Sequence, residues 1–158
     1  MRYWLMKSEP DSYSIDDLRR DGTTCWDSVR NYQASNFMRD DMKVGDRVLF
    51  YHSNAAPPGV AGVAEVVRAG YPDHTAQDPA SERYDPRATR EKPRWYMVDI
   101  AFIEKFDIVL PLDQLKARRA FDGMLVTGKS RLSVQPVTKQ HFDAVVKLAR
   151  RYAENNER

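Results

Sequence analysis

Gly59-Val60-Ala61-Gly62-Val63-Ala64-Glu65-Val66-Val67 is the stretch on which the fold turns. It is rich in valine and small residues and reads as a strand. Its two glycines allow a bend or a close approach of a neighbouring backbone, as a small barrel requires. Ahead of it, the loop 53–59 carries Asn54 and Pro57-Pro58, and Arg47 to His52 reads as a buried strand after the turn Lys43-Val44-Gly45-Asp46. Behind it, Gly70 to Pro93 is polar and punctuated by Pro72, Pro79, Pro86 and Pro93, an extended loop of a length that is often functional. Trp95 to Phe106 follows as the longest strand candidate.

The outer parts of the chain complete the pattern. Tyr3 to Lys7 forms a strand that stops at Ser8-Glu9-Pro10, since Pro10 has no amide proton for a ladder. Ser14-Ile15-Asp16-Asp17 has the spacing of a capping box and starts a short helix through Arg19, ended at Asp21-Gly22. Leu112 to Leu115 makes a helical turn after Pro111, and Ser133 to Val137 a last short strand or turn. Thr138 caps a final helix whose apolar stripe is Phe142, Val145, Val146, Ala149 and Tyr152. About five strands with two or three helices and little βαβ alternation predict an α+β domain on a small curved sheet or barrel. Residues 1–153 are expected to form one domain and 154–158 a frayed tail.

Composition narrows the class. The chain has 158 residues, enough for one domain with a real core. A net charge of +2 argues against a protein that coats nucleic acid through bulk charge, leaving local basic patches such as Lys147, Arg150 and Arg151. One cysteine, Cys25, excludes an intrachain disulfide and fits a reducing compartment. No apolar run reaches membrane-span length and Met1–Lys7 is too short for a signal peptide, so a cytoplasmic location without membrane association is expected.

Function is sought in Cys25 to Asp40, C-W-D-S-V-R-N-Y-Q-A-S-N-F-M-R-D. Ala34, Phe37 and Met38 recur at helical spacing and face the core. Trp26 and Asn31 fall outside that stripe. With Asp27, Ser28, Arg30 and Gln33 they combine a flat apolar ring with groups that donate and accept hydrogen bonds, the two things a nucleobase asks for.

Other chemistries find weaker support. Gly123-Met124-Leu125-Val126-Thr127-Gly128-Lys129-Ser130 matches the phosphate-binding loop on paper, but no buried strand precedes it and no long helix follows, so the match is coincidental. His52, His74, His141 and Cys25 lack metal-ligand spacing, and no metal or other cofactor is expected. Glu9, Asp27 and His52, with Lys7 nearby, are the acid–base candidates.

Several separated motifs carry a family resemblance. Y-W-L-M-K-S-E-P at 3–10, C-W-D-S-V-R-N-Y-Q-A at 25–34, P-P-G-V-A-G-V-A-E-V-V at 57–67 and R-W-Y-M-V-D-I at 94–100 resemble the EVE domain, as do V-L-F-Y-H-S-N at 48–54 and R-L-S-V-Q-P-V at 131–137. Cys25 stands where Tyr or Phe is commoner. The resemblance implies a PUA-like fold, a small β-barrel flanked by helices, and a domain that reads a modified base in DNA or RNA. It implies a pocket of Lys7, Ser8, Trp26, Asn31, Tyr32, Tyr51, His52, Ser53 and Ser133, with Trp26 for stacking, Asn31 and Ser53 for the base edge and Lys7 for an oxygen. The rival expectation, by analogy with ASCH-like relatives, is an enzyme acting on a modified nucleoside or small amide through Lys7, Glu9 and His52.

Overall fold

The structure, a computed structural model, describes residues 1–128 and 130–156. Among the described residues, six strands form one mixed sheet: β1 (Tyr3–Ser8), β2 (Thr23–Cys25), β3 (Arg47–His52), β4 (Gly59–Pro72), β5 (Tyr96–Pro111) and β6 (Val134–Val137). Five α-helices accompany it among the described residues: α1 (Ile15–Asp21), α2 (Tyr32–Asn36), α3 (His74–Gln77), α4 (Leu112–Lys116) and α5 (Lys139–Asn156). The strand order is β2-β5-β4-β3-β1-β6, with β1 and β3 parallel and the other neighbours antiparallel.

The glycine-bearing strand does what its composition predicts. A Cβ on Gly59 would lie 2.1 Å from the Leu110 carbonyl oxygen, and one on Gly62 2.3 Å from that of Glu104. Only glycine lets β4 and β5 approach there. Their register slips repeatedly between Val60 and Tyr71, and such bulges bend and twist a sheet. The bend does not close a barrel: among the described residues β2 pairs only with β5 and β6 only with β1. The expected β-barrel is therefore corrected to an open, curved, mixed sheet. The edge strands have three and four residues.

Alternation divides the side chains of each strand between two cores. Trp4 and Met6 of β1, Val48 and Phe50 of β3 and Val98 and Ile100 of β5 pack with Ile15, Leu18, Ala34 and Met38 on one face. Leu5, Leu49, Tyr51 and Val60 pack with Leu115 of α4 and Phe142, Val145 and Ala149 of α5 on the other. The local signals are realised. Ser14 Oγ accepts from the Asp17 amide at 3.1 Å while Asp17 accepts from the Ser14 amide at 2.9 Å, closing the capping box. Gly22, with φ 79°, turns the chain out of α1. Thr138 Oγ1 accepts from the His141 amide at 3.1 Å at the start of α5.

Differences lie in the extents. β2 was not foreseen, β4 and β5 run further than expected, and the loop after β4 begins only at Asp73 and encloses α3. That loop has its own small core of Ala76, Ala88 and Trp95. Helix α5 continues through Glu154 to Asn156, and the remaining tail residues, Glu157 and Arg158, lie outside the described residues. Around the phosphate-loop match, Arg119–Phe121 and Leu125–Thr127 are single 3₁₀ turns and the next regular element is β6; Lys129 lies outside the described residues.

Candidate functional site

A cleft of about 600 Å³ opens at one end of the sheet, where residues of both of its edges meet. Lys7 and Ser8 reach it from the end of β1, Thr24 and Cys25 from the end of β2, and Ser133 from the residue before β6. Glu9, Ser12 and Tyr13 line it from the turn after β1, and Trp26 to Arg30 from the segment after β2. Arg83 reaches in from the loop before β5. The cleft thus sits where closure of the sheet fails.

The wall 26–30 is irregular backbone held by the far end of β4. Asp73, fully buried, accepts from the Ser28 amide at 2.7 Å and from the Arg30 guanidinium at 3.0 Å. Its other oxygen accepts from Thr75 N and Oγ1 at 2.8 and 2.7 Å. Burial alone would raise the Asp73 carboxyl; the hydrogen bonds from Thr75, Ser28 and Arg30 outweigh it and hold the group below the usual range. Ser28 takes a positive φ of 66°, a conformation costly for a non-glycine residue and sustained by this clamp. Arg30 also donates to the Thr75 hydroxyl at 3.1 Å and the Arg83 carbonyl at 2.8 Å, and lies 5.4 Å from the Trp95 ring centroid. Its guanidinium is committed to structure.

The chemistry offered to a ligand comes from a few groups. The Lys7 ammonium donates to the Ser130 carbonyl at 3.3 Å, and burial lowers its pKa. Asp27 accepts from its neighbour Ser28 at 3.0 Å and from the Cys25 thiol at 3.8 Å. Burial, then the Asp27 and Asp99 carboxylates, push the Cys25 thiol up, disfavouring a nucleophilic thiolate. Tyr13 is half-buried, and its hydroxyl donates to Asp21 at 2.9 Å. Glu9 accepts from Asn54 on the opposite side. Among the described residues, no group of three His, Cys, Asp or Glu side chains is placed to hold a metal ion.

Of the nine residues expected in the pocket, Lys7, Ser8, Trp26 and Ser133 line the cleft and five do not. Asn31 is the N-cap of α2, its side chain accepting from the Ala34 amide at 3.0 Å. Tyr32 stacks on Trp95, with centroids 4.5 Å apart, on the surface beyond the wall. Tyr51 points into the core on the α5 side of the sheet, where burial pushes its hydroxyl up to about 12. His52 turns its ring toward α1 and accepts from the Ile15 amide at 3.1 Å, and Ser53 engages β1 through its backbone. Lys7 and Glu9 share the cleft, but His52 is not beside them. Trp26 is only 8% exposed and meets Phe50 edge-on at 5.5 Å, so it is floor as much as wall. Tyr13 and Arg83 were missed as pocket groups. Asp27 stands within the stretch singled out, whereas nothing in the sequence places Arg83 beside Trp26.

The fold and the cleft define a curved-sheet domain with a polar cleft at the sheet's open end. The chain belongs to the EVE-domain family, whose model matches residues 2–148. It is 43% identical to thymocyte nuclear protein 1 of Homo sapiens over 165 aligned residues, covering 92% of this chain and 73% of that protein. A hypothetical protein from Leishmania major superposes with a TM-score of 0.91 at 51% identity, covering 100% of this chain and 98% of that one. Human THYN1 protein, solved in complex with 5-methylcytosine containing DNA, superposes with a TM-score of 0.88 at 40% identity, covering 94% of this chain and 98% of that one.

Proposed function

We propose that this domain binds DNA without catalysis and reads a modified cytosine in the cleft. The observation that carries the reading is the cleft's combination of a carboxylate, Asp27, an ammonium, Lys7, and two aromatic residues, Tyr13 and Trp26. Cytosine presents an amino donor beside ring-nitrogen and carbonyl acceptors. A carboxylate accepts from the amino group, an ammonium donates to the carbonyl, and the aromatic residues supply apolar surface. The volume lies within the ~300–1,000 Å³ usual for ligand clefts. The relative solved with 5-methylcytosine containing DNA supports the same reading.

A base can enter such a cleft only after leaving its stack. That costs a few kcal/mol, which aromatic contact at ~1–3 kcal/mol per base and edge hydrogen bonds can offset. The test is a binding series over duplexes with cytosine, 5-methylcytosine and other modified bases, each also made as RNA. The reading predicts a preference for modified over plain cytosine. Equal affinity for all of them by the folded protein would defeat it.

A further inference from the structure

Arg83 differs from the other arginine of the cleft. Its amide donates to Ser81 Oγ at 3.1 Å and its carbonyl accepts from Arg30 at 2.8 Å, so the backbone is fixed on both sides. Its guanidinium is exposed and makes no ion pair among the described residues. On the same loop, Asp85 is already engaged by the Trp95 indole N–H at 2.8 Å and by Arg94 and Arg87 at 3.3 and 3.5 Å. Lys7, by contrast, is half-buried and tethered to the Ser130 carbonyl.

An extruded nucleotide brings its phosphate with it. When the base points inward, the sugar and phosphate remain at the mouth, within one nucleotide of the base. An inner ammonium and an outer guanidinium match that layout, since phosphate contacts fix position while base contacts carry selectivity. We propose that Arg83 holds a backbone phosphate of the nucleotide whose base enters the cleft. The inference rests on the base-reading proposed above and adds a distinct subsite to it. The planar guanidinium can take two phosphate oxygens at once, and its anchored backbone lowers the entropy lost on doing so.

The experiment measures affinity for a 5-methylcytosine duplex and its unmodified counterpart across a salt series, using the full chain, Arg83→Gln and Arg83→Lys. One phosphate contact in duplex DNA contributes about 0.9 to the slope of log affinity against log salt. Arg83→Gln should flatten that slope by about this amount and weaken both duplexes by the same factor, leaving the methyl preference intact. Arg83→Lys should keep the slope. A Gln variant with the parent's slope and affinity overturns the phosphate contact, whatever the parent's base preference. A parent without methyl preference but with the Gln effect sinks the base-reading and supports the phosphate contact. No binding by the parent overturns both.

Discussion

The Arg30 guanidinium donates to the buried Asp73 carboxylate at 3.0 Å across 43 positions of sequence. This one pair joins the cleft wall to the end of the longest sheet hairpin, and the Ser28 amide shares the same oxygen. Asp73→Ala would strand a guanidinium and an amide at once. We expect a loss of ~3 kcal/mol, the low end for breaking a buried pair because Arg30 is partly exposed. Urea denaturation measures it. A loss below ~1 kcal/mol would mean that water replaces the carboxylate and that the wall does not depend on it.

Trp26 should behave as a core residue as well as a cleft residue. Its ring is nearly covered and packs edge-on against Phe50. Trp26→Ala should cost ~3–5 kcal/mol of stability, so its effect on binding has to be read beside its melting curve. Trp26→Phe keeps an aromatic ring against Phe50 and should lose less of both. An alanine variant that melts like the parent would show that the surrounding core does not rest on the indole.

Acid should weaken the fold through His52. Its Nε2 accepts from the Ile15 amide, which requires the neutral ring, and burial, modified by Asp16 and Lys105, lowers its pKa from the ordinary 6.5. A histidine whose folded pKa is depressed binds a proton more readily when unfolded. Stability is therefore full above the unfolded value and falls as pH drops from about 6.5 through the folded pKa. His52→Gln offers a neutral acceptor, and its melting temperature should decline less between pH 7 and pH 5 than the parent's. Parallel declines would place the sensitivity elsewhere.

Selectivity should reside in Asp27. Asp27→Asn keeps the size and the contact with Ser28 but puts an amide in place of a pure acceptor. Preference for a base with an exocyclic amino group should fall by ~1–3 kcal/mol, tenfold to a hundredfold, while melting changes little. Competition with free nucleosides reads this directly, and an unchanged ranking would move the base edge to other groups.

Much of this was legible where chemistry is local. The capping box at Ser14, the cap at Thr138 and the close approach at Gly59 and Gly62 follow from side-chain reach and missing Cβ atoms, which need no tertiary knowledge. Asn31 shows the limit. An asparagine between an irregular stretch and an apolar helical stripe serves equally as base reader or N-cap, and the demands of the helix end decided it. The resemblance implies a pocket role for both Tyr51 and His52, but alternation sends one to the α5 core and the other toward α1. Strand β2 is three residues long, too short for a period to register.

The place of β1 in the sheet has a consequence in time. Its residues pair on one side with β3 and on the other with β6, Trp4 lying opposite Pro136. On a ribosome adding ~5–20 residues each second, Trp4 waits on the order of ten seconds for that partner. For that interval β1 presents an open row of amides and carbonyls, the template that invites a strand from another nascent copy. Losses during expression should therefore arise at this edge, before the last strand emerges.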